Sequence, residues 1–190
     1  VSRPPRIWFP GAAYHITNRG NRRSTVFYDD QDYLVYLKLL EEVRCLYPFH
    51  LHAYCLMTNH LHLLIETIQH HPKDIMQKLN SRYAMYFNKR YQLEGHVFQG
   101  RYGAKLVDTM AYLLDASRYI HLNPLEASMV LSPEAYPWSS YSAYVTNSRN
   151  LHIKTETILS FFPEPQKDYY RKFVEGATNL LGSDPHSAKV

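Results

Sequence analysis

Two strand-like runs joined by only three residues constrain this chain more than any other feature. Residues 49–56 (FHLHAYCL) and 60–67 (HLHLLIET) are separated by MTN alone, a link that suits an antiparallel hairpin and little else. Side chains alternate across a strand, so His60 and His62 point to one face of the second run while Leu61, Leu63 and Ile65 point to the other. One face of the hairpin is therefore core, and the other carries two imidazoles. Two residues along a strand span about 6.6 Å between Cα atoms, so both rings can reach one metal ion. In a chain with 11 His the pattern alone is weak, and His50 and His52 repeat it.

The remaining elements arrange themselves around that hairpin. AAYHITN after Gly11 alternates like a strand and runs into the loop RGNRR. Asp29 and Asp30 can cap a helix over roughly 30–47, with Tyr33, Leu37, Leu40 and Val43 as its apolar stripe and Pro48 at its end. Pro72 opens a second helix over about 73–91, on which Ile75, Leu79 and Tyr86 face inward while Lys78, Arg82 and Lys89 share another face. A strand is expected near 101–107, then a third helix from Asp108 to about 122 with Leu113, Ser117 and Ile120 on its apolar edge, stopped by Pro124.

This order of elements is that of a ferredoxin-like or RRM-like α+β layer, an antiparallel sheet with helices on one face and the other face free to work. Residues 1–145 read as one domain, 146–180 as a small helical C-terminal appendage and 181–190 as a disordered tail.

Charge narrows the function. The net charge of +4 conceals segregation: residues 1–28 carry Arg3, Arg6, Arg19, Arg22 and Arg23 and no acid, and 70–105 carry seven Lys or Arg against Asp74 and Glu94. Tyr14, Tyr83, Tyr86, Tyr91 and Tyr102 are interleaved with these runs, the expected footprint of a phosphate-backbone binder with stacking platforms for bases. Cys45 and Cys55 sit among apolar neighbours without a disulfide framework, and no run approaches the ~18 apolar residues of a membrane span. VSRPPRIWFPG lacks a signal-peptide core, so a cytoplasmic location away from membranes is expected.

The second chemical element is SRYIHLNP, residues 117–124. On a helix Tyr119 and Asn123 are neighbours at i and i+4, with Tyr112 and Asp115 one or two turns back. An amide oxygen can complete the shell of a hard cation, and a tyrosine beside such a cation can attack a phosphate. Most of the 17 Tyr are expected to pack or stack.

The stretches HAYCLMTNHLHLLIE (52–66), GHVFQGRYGAKLVD (95–108) and AYLLDASRYIHLNP (111–124) resemble the HUH transposases of single-stranded DNA that use one catalytic tyrosine (IS200-like), and among them the REP-associated tyrosine transposases. The resemblance covers roughly residues 8–145 and implies the HUH endonuclease fold, with His60 and His62 as metal-binding pair, Asn123 at the third-ligand position and Tyr119 as nucleophile. It implies a divalent cation, Mg²⁺ or Mn²⁺, a 5′-phosphotyrosine intermediate, and a substrate of single-stranded DNA beside a hairpin such as a repetitive extragenic palindrome. Arg19, Arg22, Arg23, Lys78, Arg82, Lys89 and Arg101 are the candidate DNA contacts. One departure is visible: the family's Val-Arg-Ala after Asn-Pro is Leu125-Glu126-Ala127 here, an acid in place of a phosphate-binding arginine.

A monomer is expected, with a homodimer as the alternative. Two other functions compete: a non-catalytic RRM-like nucleic-acid binder, and a structural zinc site from Cys45, Cys55, His60 and His62.

Overall fold

The hairpin forms as read and is extended on one side by two further strands. In the computed structural model, which describes residues 7–176, β1 (Ala13–Arg19), β2 (Phe49–Met57), β3 (His60–Thr67) and β4 (Gly103–Val107) make one antiparallel sheet in the order β2-β3-β1-β4. Helices α1 (Asp30–Leu46) and α2 (Pro72–Tyr91) lie between strands in the ferredoxin-like succession, followed by α3 (Met110–Glu126), α4 (Tyr141–Val145), α5 (Glu156–Leu159) and α6 (Gln166–Glu175). Asp29 caps α1 by accepting from the Asp32 amide, and Thr109, rather than Asp108, caps α3. Arg3, Arg6 and the expected tail at 181–190 lie outside the described residues. Among the described residues no helix is long and apolar enough to cross a membrane.

Alternation assigns the two faces. Tyr14 and Ile16 of β1 and Leu61, Leu63 and Ile65 of β3 turn toward α1 and α2, where they bury with Leu40, Val43, Leu79 and Tyr83. The opposite face, expected to be free, is covered in part: Ala53, Cys55 and Met57 of β2 and Leu64 of β3 pack under α3 and the C-terminal helices. Helices therefore lie on both faces, and on the second face the described residues leave clefts over β1, β4 and the His60–His62 end of β3. The apolar edge expected of α3 is there, with Leu113, Ser117 and Ile120 all buried, but nothing in its spacing tells which side of the sheet it seeks.

Pro124 does not stop α3, which runs on to Glu126. Proline lacks an N–H for the carbonyl four residues back, but so near the helix end that costs one hydrogen bond while the next turn still closes through the Ala127 amide on Asn123 O at 3.0 Å. Asn123 is thereby kept helical.

Residues 146–176 fill the second core. Tyr170 and Val174 of α6 and Ile158 of α5 are fully buried beside Ile120 and Leu122 of α3. The tyrosines do mostly structural work, as expected: the buried hydroxyls of Tyr83, Tyr136 and Tyr144 donate to the carbonyls of Val26, Leu56 and His52. Tyr14, Tyr83 and Tyr102 are buried, and the hydroxyls of Tyr86 and Tyr91 donate to Asp32. They are packing residues, not exposed platforms for bases.

His121, on α3, is enclosed completely, its Nδ1 2.7 Å from Tyr170 Oη and its Nε2 2.8 Å from Ser140 Oγ. Burial pushes its pKa down to about 3 from 6.5. Between those values the unfolded chain binds the proton and the folded chain does not, so stability is full above pH 6.5 and falls as pH drops. Urea unfolding at pH 7.5 and 5.5 is expected to show a loss to which His121 contributes about 1.4 kcal/mol. His121→Gln should remove that share; an unchanged pH dependence in the variant would contradict it.

Candidate active site

The accessible part of the second sheet face holds the chemistry. Register places His62 of β3 beside Thr17 of β1, and His15 of β1 beside Leu64 of β3 and Lys105 of β4. The rings of His60 and His62 stand 5.1 Å apart between centroids, nearly perpendicular. Helix α3 crosses so that Tyr119 meets both β1 and β3 edge-on, its ring 5.7 Å from His15 and 5.4 Å from His62. One turn on, the Asn123 Oδ1 lies 3.3 Å from His60 Nε2. Tyr119 is 46% exposed, unlike the buried tyrosines around it.

Two clefts meet at His62 and Tyr119, which line both. One, of about 320 Å³, is bounded by Arg19, Gln99, Arg101 and Gly103. The other, of about 520 Å³, is bounded by Lys105, Tyr112, Asp115, Arg118 and Glu126. Gly103, which lines the first cleft, leaves no room for a side chain, since a Cβ there would come within 2.4 Å of Thr17 Oγ1. The first cleft is cationic, whereas the second mixes charges.

The imidazoles are held neutral. Burial pushes the His62 pKa down to about 3, helped by the neighbouring His15, His60 and Arg19. Burial and Lys105 lower His15 to about 4, and burial, with Arg19, lowers His60 although Asn123 opposes the shift. Neutral imidazole is the metal-binding form. His62 Nε2 is also buried without a hydrogen-bonding partner among the described residues, the state of a nitrogen whose lone pair serves a cation. His60, His62 and the Asn123 amide therefore fit a divalent ion, although no group of three or more His, Cys, Asp or Glu among the described residues could hold one.

The expected residues do not all converge. His60, His62, Tyr119 and Asn123 come together, and Arg19 and Arg101 line the first cleft with them. Arg22 and Arg23 are exposed in the loop after β1, in left-handed backbone at φ 53° and 61°, a conformation non-glycine residues adopt at a cost. The loop is pinned there by Gly20 N–H on Asn59 O and Asn21 N–H on Val97 O, both 2.8 Å. Lys78, Arg82 and Lys89 lie on α2, across the sheet from the histidines, and Arg82 pairs with Glu42 of α1 at 2.8 Å.

The competing sites dissolve. Cys55 packs under α3 while Cys45 is exposed on α1, across the sheet, so the two cannot join His60 and His62 around zinc. The bulge between Leu51 and Ala53 takes His52 out of step, and it binds Glu66 Oε2 at 2.7 Å as a satisfied sheet histidine. The open face offers histidines, Thr17 and Lys105 where an RRM-like binder needs aromatics.

His15 is the residue the sequence reading passed over. Its strand is legible in the sequence, and alternation with Tyr14 and Ile16 already puts it on the face opposite theirs. What the spacing could not supply was β1 as the neighbour of β3.

A family model described as IS200-like transposase matches residues 9–123. Among solved structures, that of a REP-associated tyrosine transposase bound to a REP hairpin aligns with a TM-score of 0.63 at 19% identity, covering 76% of this chain and 86% of that one. A protein of Deinococcus radiodurans R1 described as a transposase aligns over 63% of this chain and 95% of its own at 18% identity, with a TM-score of 0.44. No curated protein matches the chain.

Proposed function

From the premise that the chain belongs to the IS200-like transposase family, we propose that it cleaves and rejoins single-stranded DNA beside a hairpin through a phosphotyrosine at Tyr119. The observation that carries this reading is the placement of a half-exposed Tyr119 against His62 and His15, at the junction of two clefts. The Tyr119 hydroxyl gives up its proton and its oxygen attacks the scissile phosphorus, a P–O bond to Tyr119 forms, and the P–O3′ bond breaks. The upstream strand leaves with a 3′-hydroxyl that takes up a proton, and the downstream strand stays on Tyr119 by its 5′-phosphate. A 3′-hydroxyl attacking that linkage reverses the step and joins strands without outside energy.

His60, His62 and Asn123 would hold Mg²⁺ or Mn²⁺, and imidazole suits Mn²⁺ better. Bound there, the cation supplies polarisation of a phosphoryl oxygen. Arg19 and Arg101 in the first cleft receive the backbone next to the scissile phosphate, and Arg22 and Arg23 on the pinned loop grip the hairpin side. Lys78, Arg82 and Lys89 would serve only a duplex long enough to reach round to α2. Glu126, at the rim of the second cleft, repels phosphate where the family carries arginine. Because tyrosine and histidines of one chain already meet, the reading favours a monomer acting in cis, in the cytoplasm where nucleoid DNA is available.

A hairpin oligonucleotide with a single-stranded flank, labelled at either end and incubated with Mn²⁺, tests this. Cleavage in the flank is expected, with binding that weakens steeply with salt, by about 0.7 to 0.9 in log K per phosphate neutralised for each log unit of salt. Salt-independent binding, or no cleavage of any hairpin substrate, would count against the proposal.

A further inference from the structure

Both imidazoles of the pair carry an outer partner on Nδ1, and the chemistry of those partners decides where the ring protons sit. Asn59, in the turn between β2 and β3, lies with Nδ2 3.2 Å from the backbone oxygen of Arg23. A carbonyl only accepts, so the amide must donate from Nδ2 there and turn Oδ1 to His60 Nδ1, 2.7 Å away. Oδ1 in turn only accepts. His60 therefore carries its proton on Nδ1 and presents a bare Nε2 to Asn123 Oδ1 at 3.3 Å. Two acceptors facing each other repel unless something positive lies between them.

His62 is governed in the same way from the other side. Its Nδ1 lies 3.0 Å from His15 Nε2, so one of those two nitrogens holds the shared proton. Were it His15, His62 would keep its own proton on Nε2 and bury an N–H with no acceptor among the described residues. With the proton on His62 Nδ1, the bond to His15 is made and the bare Nε2 is free for a cation.

We propose that Asn59 and His15 are positioning residues that hold His60 and His62 as Nδ1–H tautomers, so that both Nε2 lone pairs point at one cation position beside Tyr119. The inference rests on the reading of His60 and His62 as the cation pair and extends it. Asn59 also binds the arginine loop at two points, accepting the Gly20 N–H at 2.8 Å and donating to Arg23. The cation site and the residues proposed to grip the DNA thus share one mount.

The test is long-range ¹⁵N–¹H NMR of the histidine rings in the full chain with chelator present, followed by Mn²⁺ titration. Wild-type His60 and His62 should both show protonated Nδ1 and bare Nε2. Asn59→Ala and His15→Phe should each shift the affected ring toward the Nε2–H form and weaken Mn²⁺ binding by about 10- to 100-fold. His15→Gln, whose Oε1 can accept the same proton, should restore the His62 tautomer and most of the affinity. Nε2–H rings in the wild type, or a His62 tautomer indifferent to His15→Phe, would overturn the proposal. Nδ1–H rings in a protein that binds no Mn²⁺ would support the hydrogen-bond assignment and overturn instead the cation reading beneath it.

Discussion

Replacing Tyr119 with phenylalanine is expected to abolish strand cleavage while hairpin binding stays within about twofold. Phe keeps the edge-on ring contacts with His15 and His62, at 5.7 and 5.4 Å, and removes only the oxygen. At a position 46% exposed the stability cost should stay within about 0.5 kcal/mol. Loss of an essential nucleophile typically lowers turnover by at least ~10⁴-fold, to whatever background the rest of the site supports. A nuclease activating water would keep most of its rate, because no step of such chemistry passes through the phenol. Gel quantification of cleaved and bound oligonucleotide separates the cases: retained cleavage in Tyr119→Phe removes the tyrosine from the mechanism.

The second large effect is expected at Tyr170, some 50 residues further along the chain. Its ring is fully buried and packs 4.7 Å from Tyr144 and 5.4 Å from Phe162. Its hydroxyl bridges His121 Nδ1 at 2.7 Å and Ser117 Oγ at 3.1 Å. Those partners stand two residues to either side of Tyr119, so α6 holds the stretch of α3 that aims the nucleophile. Tyr170→Ala should cost about 3 to 5 kcal/mol, as deletion of a buried aromatic does. Tyr170→Phe, which leaves the polar groups of His121 and Ser117 short of a partner, should cost about 1 to 3 kcal/mol. Cleavage should fall more than binding in both. On this view residues 146–176 complete the support of the tyrosine helix and are no detachable appendage; a Tyr170→Ala cost under about 1 kcal/mol would contradict that.

Much of this arrangement is legible in the sequence. Alternation in HLHLLIET puts Leu61, Leu63 and Ile65 on the side opposite His60 and His62, and i, i+4 spacing pairs Tyr119 with Asn123. Both are local periodicities, dictated by strand and helix geometry. What stayed hidden is non-local. The stripe of Lys78, Arg82 and Lys89 follows from helical spacing, but its position across the sheet from the histidines depends on how α2 docks, and Arg82 turned out to have Glu42 as a partner. His15 needed the pairing of β1 with β3 before it could join His62. α3 crosses to the second face because Ala53, Cys55, Met57 and Leu64 offer an apolar floor there, a match between distant segments that neither segment shows alone. Pro124 departs from the helix stop expected of it for a different reason, since its penalty is a single hydrogen bond at a helix end.

The most direct measurement is mass spectrometry of the denatured, protease-digested reaction between the unmodified protein and a hairpin oligonucleotide with a single-stranded flank. The expected product is a nucleotide-bearing peptide whose fragmentation places a 5′-phosphate on Tyr119, with an equal amount of free 3′-hydroxyl strand. Cleavage that leaves a free 5′-phosphate with no protein adduct, or an adduct on another residue, would contradict it.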